Sequence, residues 1–392
     1  MRFKLRELLN CISPKTKDSN MVTYQHARVL LSSWSPKPTG RCYTERKERI
    51  LYDLQIVIPA FNVERYIRRC LDSLKPLLNS KYRVLIQIVD DGSTDRTGDI
   101  AKEFAEEALG DIIVLHHQNN KGLAAARNTA LSTIYGNYVL LIDSDDFLPA
   151  EFNIDSLMGI IEGCDILQGC CFTVDQNELM IDRVKRPTGY AWGKLYHHCV
   201  FKNFQFPEGY WFEDTPVKFI LFNKGLSIEY TNHSVYCYRK NPNGITAIAE
   251  RFPKSIDTYW ITELCIEELS VFGIEYNQKM LDCFLQQTIL NQKRIRKQPA
   301  SIRKAVFILT TELIEKYFSG VHTSTYKRIE RAIRCSQFLR FELLVYHLFF
   351  QTKLSMMLAG TVPSDMSLPS ESTDRAVMTC SQLTKKRENN EM

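Results

Sequence analysis

Short apolar runs alternate along the chain with segments whose apolar residues recur at helical spacing. The first run, "LQIVIPAFN", starts at residue 54 and predicts a strand that Pro59 ends, and the helical pattern "VERYIRRCLDSLKPLL" follows it. Further strands are predicted in "YRVLIQIVDD", "DIIVLHHQ", "NYVLLIDSDD" and "CDILQGCCFTV", and further helices in "STDRTGDIAKEFAEEA" and "GLAAARNTALSTIY". This alternation is typical of an α/β fold with a mainly parallel sheet flanked by helices.

Polar residues collect where the predicted strands end. The clusters are Pro59 to Asn62, Asp90-Asp91 and Asp143 to Asp146. Because the carboxyl ends of parallel strands meet at one edge of a sheet, we expect the three clusters to form one site. The last cluster places like charges side by side, which a divalent cation would neutralise. An Asp-rich turn that caps the next helix would explain the same residues.

The composition is ordinary for a globular protein. With 392 residues, of which 44% are hydrophobic and 24% are charged, the chain can form one large domain and a smaller one. Its net charge of +5 does not indicate a nucleic-acid partner. The twelve cysteines show no CxxC spacing, which favours reduced thiols in the cytoplasm. Neither a signal-peptide core nor a run of about 18 apolar residues is found, so no spanning helix is expected.

Several motifs together resemble the family 2 glycosyltransferases of bacterial surface-polysaccharide synthesis. They are, in order, "IVIPAFNVERYIRRCLDSL", "IVDDGSTDRT", "NKGLAAARNTAL", "LLIDSDDFL", "AWGKLYHHCVF", "FPEGYWFEDTPVKFILF" and "YCYRKNPNGIT". The resemblance covers about residues 53 to 246 and implies the GT-A nucleotide-diphospho-sugar transferase fold with a C-terminal helical region. We predict an N-terminal extension of uncertain order (1–50), a GT-A domain (51–250), a basic helical region (251–360) and a disordered tail (361–392).

The resemblance assigns the strand ends to a nucleotide-sugar donor and a metal ion. Asp143 and Asp145 match the DxD pair, and their carboxylates suit Mn²⁺ or Mg²⁺. The predicted metal ligands are Asp143, Asp145 and Asp146, with the direct ligand left open. The predicted donor-binding residues are Pro59, Ala60, Phe61, Glu64, Asp90, Asp91, Arg127, Asp143 and Ser144.

Three of the predicted donor residues also have a structural interpretation. Asp91 is implied to accept the ring N–H of the base, which favours uracil or thymine, and it equally fits a tight turn with Gly92. Phe61 fits a core position as well as a nucleoside contact. Arg127 fits a solvated surface as well as a role beside phosphates or aspartates.

The acceptor side is predicted in the second half of the α/β region. An aromatic excess supplies the predicted acceptor-binding residues Trp192, Lys194, Trp211 and Glu213, although Trp is also an ordinary core residue. By the family's register, Asp214 is the catalytic base that takes a proton from the acceptor hydroxyl as its oxygen attacks the anomeric carbon. The attack displaces the diphosphate from the opposite side, and this single displacement inverts the configuration. Asp214 followed by Thr215-Pro216 is equally typical of a helix N-cap.

The predicted function is transfer of a single sugar, since the Q-x-x-R-W motif of processive synthases is missing. The predicted donor is a UDP-sugar and the predicted acceptor a hydroxyl of a glycan or lipid-linked glycan. Residues 279 to 345 carry an excess of eight positive charges between apolar residues, which suits peripheral binding to an anionic membrane at its inner face. A helical domain with a solvated basic face would show the same pattern.

Two other function classes compete with this prediction. A sugar nucleotidylyltransferase would need a Gly-rich phosphate loop after the first strand, and "IPAFNVERY" offers none. A catalytically silent membrane-associated scaffold with the same fold is disfavoured by the carboxylates at 91, 143, 145 and 214. The pairs His116-His117 and His197-His198 lack the i,i+4 spacing of helical ligand pairs and are interpreted as structural or surface residues.

Overall fold

The computed structural model describes residues 24–107, 113–186 and 188–358. They form two compact units, one of residues 39–244 and the other of residues 24–38 with 245–358. The predicted extension is therefore divided, since its residues 24–38, with helix α1 (Tyr24–Trp34), belong to the second unit. The predicted tail, 361–392, lies outside the described residues.

The described part of the first unit contains one mixed sheet of eight strands. The strands are β1 (Lys47–Ala60), β2 (Val84–Asp90), β3 (Ile113–His117), β4 (Thr133–Leu141), β5 (Ile166–Val174), β6 (Met180–Val184), β7 (Lys194–His197) and β8 (Ile228–Arg239). Their order is β3-β2-β1-β4-β7-β5-β6, and β8 also pairs with β5. The predicted α/β fold is confirmed. Besides the expected parallel strands, the sheet contains antiparallel pairs, which involve β6 and β7.

The parallel half of the sheet decides where the site lies. Strands β1, β2, β3 and β4 run parallel, with Ala60 opposite Asp90 and Val57 opposite Leu141. Their carboxyl ends therefore share one edge, and the polar clusters that follow them lie on that edge. Strand β2 is buried along its whole length, as is typical of the centre of a covered parallel sheet.

Helices connect the strands of the sheet unit. They are α2 (Glu64–Asp72), α3 (Lys75–Leu78), α4 (Thr97–Glu107), α5 (Leu123–Ala130), α6 (Ile154–Ile161), α7 (Cys199–Lys202) and α8 (Thr215–Phe219). The apolar face of α2, with Ile67, Cys70 and Leu71, is buried in the same core as the inner residues of β1 and β2.

Two predicted helix boundaries are wrong. The segment after β1 is predicted as one helix and divides into α2 and α3, because Pro76 lacks an N–H and restricts the residue before it. The helix predicted to continue through Tyr135 ends at Ala130, and β4 begins at Thr133. Thr133 and Ile134 are β-branched and pair with the start of β1, so strand pairing prevails over helical continuation.

The described part of the second unit is helical. Besides α1 it contains α9 (Ile245–Ile248), α10 (Asp257–Glu268), α11 (Gln278–Arg294), α12 (Ala300–Tyr317), α13 (Lys327–Arg334) and α14 (Phe338–Leu358), together with the 3₁₀ helices Ala249–Arg251, Pro253–Ile256 and Leu269–Phe272. Among the described helices, none combines the length and apolar character needed to cross a membrane.

A buried carboxylate attaches the N-terminal segment to the helical unit. Glu263 on α10 is fully buried and pairs with Arg28 at 2.9 Å and Lys37 at 2.6 Å, and Tyr259 donates to it at 2.9 Å. Although burial raises the pKa of Glu263, the hydrogen bond from Arg28 and the charge of Lys37 lower it below its ordinary value. The carboxylate is thus compensated, and residues 24–37 are held in place.

Candidate active site

A buried arginine joins two acidic segments at the carboxyl edge of the sheet. Arg127, on α5, is 2% exposed and donates to Asp143 Oδ1 at 2.6 Å and to Glu213 Oε1 at 2.7 Å. Its guanidinium also lies over the Phe206 ring, 5.1 Å from the centroid. The DxD loop and the segment that contains Asp214 are therefore connected through one side chain.

The charge of Arg127 is retained despite its burial. Burial by itself lowers the pKa of the guanidinium, but Asp143, Glu213 and Asp214 raise it above its ordinary value. Asp214 therefore lies close enough to act electrostatically on Arg127. Among the described residues, Arg127 Nε has no hydrogen-bond partner, which leaves one buried donor unused at the centre of the site.

Both carboxylate oxygens of Asp146 accept hydrogen bonds from strand β8. Its side chain is buried, and it accepts from the Tyr236 hydroxyl at 2.8 Å and from the Arg239 backbone N–H at 2.7 Å. Burial, Asp145 and Asp143 raise the pKa of Asp146 well above its ordinary range. The structure thereby places Asp146 beneath the loop and leaves Asp143 and Asp145 as the more exposed carboxylates.

Asp143 and Asp145 offer oxygen ligands that fit a divalent cation. Asp145 accepts from Asn241 Nδ2 at 2.9 Å with Oδ2. Among the described residues, no other residue donates a hydrogen bond to Asp143 Oδ2 or Asp145 Oδ1. Burial, with a contribution from the charge of Asp143, raises the pKa of Asp145. Two neighbouring carboxylates with unused oxygens are the donor set that Mn²⁺ or Mg²⁺ prefers.

Asp90 and Asp91 hold the loops around the donor edge. Asp91 is buried and accepts from Gln118 Nε2 at 2.7 Å and from the backbone N–H groups of Lys121 and Gly122 at 2.9 and 2.7 Å. Asp90 accepts from the Ser93 N–H at 2.9 Å and contacts His117 Nδ1 at 3.0 Å. Since a carboxylate accepts about four hydrogen bonds, Asp91 retains capacity for one more donor.

The loop after β1 is attached to the loop after β2. Asn62 adopts a left-handed φ of 49° and accepts from the Thr94 N–H at 2.8 Å. Glu64 accepts from the Arg96 N–H, and Asp95 accepts from the Glu64 N–H in return. Glu64 therefore has a structural function in this loop pair.

The remaining predicted donor residues differ in exposure. Ala60 and Ser144 are buried. Phe61 is 44% exposed, so the alternative that it belongs to the core is wrong, and its ring is accessible at the end of β1. Pro59 lies within β1, opposite Val89.

A strained turn positions Glu213 and Asp214. Phe212 has a φ of 63°, in the left-handed region that non-glycine residues rarely adopt, and its carbonyl accepts from the Thr215 N–H and hydroxyl. Asp214 precedes α8, but its side chain makes no cap hydrogen bond to that helix. Asp214 therefore occupies the position before the helix without capping it through its side chain.

Stacked aromatic rings form a wall beside the DxD loop, which the sequence interpretation did not identify as a unit. Trp192 stacks on Tyr190, Tyr236 and Tyr238, with ring centroids 4.4, 4.5 and 5.3 Å apart. Trp192 is almost fully buried, whereas Tyr190 is 38% exposed, so Tyr190 presents the accessible ring. The signal in the sequence is the i,i+2 spacing in "YCY", which places Tyr236 and Tyr238 on one face of β8. Tyr190 and Trp192 lie in the bend before β7, so strand alternation does not predict their part in the stack.

Lys194 supports this wall from beneath. It is fully buried, and its Nζ donates to the carbonyls of Tyr190 at 2.7 Å and Trp192 at 3.1 Å. Trp211 is partly exposed, whereas Glu213 is buried in its ion pair with Arg127. Of the predicted acceptor residues, Trp211 alone therefore presents substantial surface.

The burial of Lys194 predicts a pH-dependent stability. Burial lowers the pKa of Lys194 to about 7. Between about pH 7 and the ordinary lysine value of about 10.4, the unfolded chain binds a proton that the folded chain does not, so stability rises with pH. We expect the free energy of unfolding, measured in urea from pH 7 to 9, to rise by up to about 1.4 kcal/mol per pH unit relative to Lys194→Met. Parallel pH curves for wild type and variant would contradict this.

Sequence comparison identifies the family of the sheet unit. Residues 55–229 match the profile described as Glycosyl transferase family 2. The chain contains a family 2 glycosyl transferase domain. Glycosyltransferase GlyA of Streptococcus pneumoniae serotype 4 is 30% identical over 223 residues, which cover 50% of this chain and 32% of GlyA. The uncharacterized glycosyltransferase EpsJ of Bacillus subtilis strain 168 is 28% identical over 268 residues, covering 58% of this chain and 76% of EpsJ.

The fold of the glycosyl transferase domain has a structural counterpart. S. aureus TarS aligns with a TM-score of 0.51 at 17% identity, covering 74% of this chain and 54% of TarS. The predicted GT-A fold with a C-terminal helical region is confirmed. The chain spans about a third of the length of GlyA and about half that of TarS, so it corresponds to only part of these longer proteins.

Proposed function

We propose that this chain is an inverting, metal-dependent glycosyltransferase that moves one sugar from a nucleotide-diphosphate donor to a hydroxyl of a glycan or lipid-linked glycan. The observation that carries the proposal is the Arg127 fork between Asp143 and Glu213. Through Arg127, Asp143 of the proposed metal site is connected to Glu213, the residue that precedes Asp214. A transfer reaction needs this proximity of donor and acceptor groups.

The division of labour follows from the positions of the carboxylates. Asp214 accepts the proton of the acceptor hydroxyl as its oxygen attacks the anomeric carbon, and a single displacement inverts the configuration. Asp143 and Asp145 hold the divalent cation, which when bound neutralises charge on the leaving nucleoside diphosphate. Arg127 and the Phe212 turn keep the two sets of carboxylates in place, and Asp146 fixes the DxD loop from beneath.

The proposed donor is a UDP-sugar. Asp91 retains capacity for one further hydrogen bond, which the imide N–H of uracil can donate, and Phe61 is exposed at the same edge to contact the nucleoside. Three hydrogen bonds already occupy Asp91, so guanine would leave one of its neighbouring N1–H and N2–H donors unpaired, and cytosine would place its N3 acceptor against the carboxylate.

Nucleotide binding tests the proposed donor site. A ligand that binds only the folded state raises the melting temperature by mass action, so we expect UDP to stabilise the protein in the presence of Mn²⁺. Asp145→Ala removes one metal carboxylate and should abolish the metal-dependent part of the shift. GDP and CMP serve as ligand controls, and the exposed Asp155→Asn serves as the variant control. If no nucleotide shifts the melting curve, with or without acceptor, the chain is a silent scaffold.

The proposed acceptor lies on a surface glycan, and for a lipid-linked acceptor the enzyme would bind the inner face of the membrane. In the helical unit, α13 exposes Lys327, Arg328 and Arg331. Helix α14 packs against α13 and exposes Leu339 and Tyr346, at 62% and 67%. Exposed cations with nearby apolar side chains suit an anionic lipid surface.

Liposome sedimentation tests the membrane proposal. We expect the chain to bind vesicles that contain anionic lipid, to be released by raised salt, and to be absent from neutral vesicles. The triple variant Lys327→Glu, Arg328→Glu, Arg331→Glu should lose binding, whereas Lys81→Glu, an exposed lysine of the sheet unit, should not. Failure to bind anionic vesicles at any salt concentration would overturn the proposal.

A further inference from the structure

A cluster of three different metal-ligating side chains lies in the sheet unit away from the DxD loop. Asp165 immediately precedes β5, His197 ends β7, and Cys199 begins α7. One ligand atom from each residue lies within 4.8 Å of the others. Tyr138 on β4, whose ring packs edge-on against His197 at 5.7 Å, is five residues before Asp143, or about 17 Å along a strand. The cluster is thus separate from the carboxylates at the strand ends.

One pair in the cluster already has the spacing of two ligands on one ion. The Cys199 thiol donates to Asp165 Oδ1 across 3.3 Å. In a tetrahedral Zn²⁺ site, bond lengths of about 2.3 Å to sulfur and 2.0 Å to oxygen place these atoms about 3.5 Å apart. Replacement of the thiol proton by a cation therefore needs little movement of either side chain.

The surrounding contacts orient the cluster. Asp165 Oδ2 accepts from the Ser227 N–H at 2.8 Å and from the Ser227 hydroxyl at 2.9 Å. The Asp165 carbonyl accepts the His197 backbone N–H at 2.8 Å, which links two of the three residues directly. Such outer contacts fix the direction of ligands in protein metal sites.

The His197 ring is available to complete the set. No hydrogen bond between a His197 ring nitrogen and the described residues is formed, and the side chain is only partly buried. A rotation of the imidazole toward the cluster therefore breaks no protein hydrogen bond. The partial exposure of all three residues leaves room for a water molecule as the fourth ligand.

We propose that Asp165, His197 and Cys199 form a Zn²⁺ site that ties the start of β5 to the end of β7. Sulfur and imidazole ligands select Zn²⁺ over the Mg²⁺ or Mn²⁺ suited to Asp143 and Asp145, so the unit has two cation sites of different chemistry. Binding replaces the Cys199 proton, which passes to solvent, and stabilises the fold by cross-linking the antiparallel strands. The site is independent of the proposed transfer reaction.

Metal titration of the whole chain tests the site. After treatment with chelator and dialysis, we expect the protein to bind one equivalent of Zn²⁺ that Asp145→Ala retains, and to melt at a higher temperature with Zn²⁺ than without it. Co²⁺ bound at this site should give a thiolate-to-cobalt absorption band, since Cys199 is one of the ligands. The DxD carboxylates cannot produce such a band, so it distinguishes the two sites. The band and the bound Zn²⁺ should persist in Cys335→Ser, which removes an exposed thiol elsewhere.

The ligand variants decide the outcome. Cys199→Ser and His197→Gln should each weaken Zn²⁺ binding at least tenfold, and Cys199→Ser should also remove the cobalt band. Far-UV circular dichroism checks that both variants are folded, and either one suffices for the test. Absence of bound Zn²⁺ in the wild-type chain, or unchanged binding in a folded ligand variant, would overturn the proposal.

Discussion

Asp214→Asn should reduce sugar transfer by about 10²–10⁴-fold, which is the usual contribution of a general base. Asparagine has nearly the same shape, but its amide cannot take the proton from the hydroxyl of the glycan acceptor. The fold should persist, because Asp214 is partly exposed, makes no cap hydrogen bond to α8, and leaves the contacts of Arg127 with Asp143 and Glu213 intact. The change is measured as the turnover number with a saturating nucleotide-sugar donor and acceptor.

Two readouts separate catalysis from binding in this variant. The shift in melting temperature caused by UDP with Mn²⁺ should match that of wild type, since Asp214 is not expected to hold the donor. Glu213→Gln, one residue earlier, should instead lower stability, because it removes one of the two partners of Arg127. Wild-type turnover by Asp214→Asn would exclude Asp214 as the base.

Arg127→Met should lower the free energy of unfolding by about 3–5 kcal/mol, the range observed when one partner of a buried ion pair is removed. Asp143 and Glu213 would then lie close together without their shared counter-charge, and the side chain of Glu213 is only 8% exposed. Arg127→Lys should recover part of the loss, because lysine keeps the charge but lacks the planar fork that reaches both carboxylates. Urea denaturation measures the difference.

The controls for Arg127 use a surface pair and a second substitution. Arg96→Met, which breaks an exposed pair with Glu103, should cost less than about 1 kcal/mol. Adding Glu213→Gln to Arg127→Met should restore stability in part, because it neutralises the stranded carboxylate. A loss below about 1 kcal/mol for Arg127→Met would show that the buried fork does not hold the site together.

The order of strands and helices could be predicted from the sequence because apolar periodicity is local. Strand β2 is buried along its length and therefore shows a nearly continuous apolar run, and the polar residues after β1, β2 and β4 follow from where those runs end. The seven ordered motifs also indicated the family 2 glycosyltransferases and their GT-A fold. The predicted helix boundaries were wrong at two places. At Pro76 the proline interrupts the helix, and at Thr133 pairing with β1 replaces the helix by a strand.

The roles of several residues could not be decided from the local sequence, because they depend on contacts with residues far along the chain. Asp146 looks like a metal ligand beside Asp143, but a tyrosine 90 residues later accounts for one of its oxygens. Arg127 fits an exposed helix face in sequence, and only its contact with Glu213, 86 residues away, reveals a buried fork. Such roles depend on which side chains the packed sheet brings together.

The sequence by itself therefore determined the family, the order of elements and the edge of the sheet that carries the site, since these follow from local periodicity and ordered motifs. Only the tertiary structure decided which carboxylates are consumed by the scaffold, which aromatic ring of the Trp192 stack is exposed, and that Asp165, His197 and Cys199 meet. The physical reason is that burial and hydrogen bonding are settled by residues far apart in the chain.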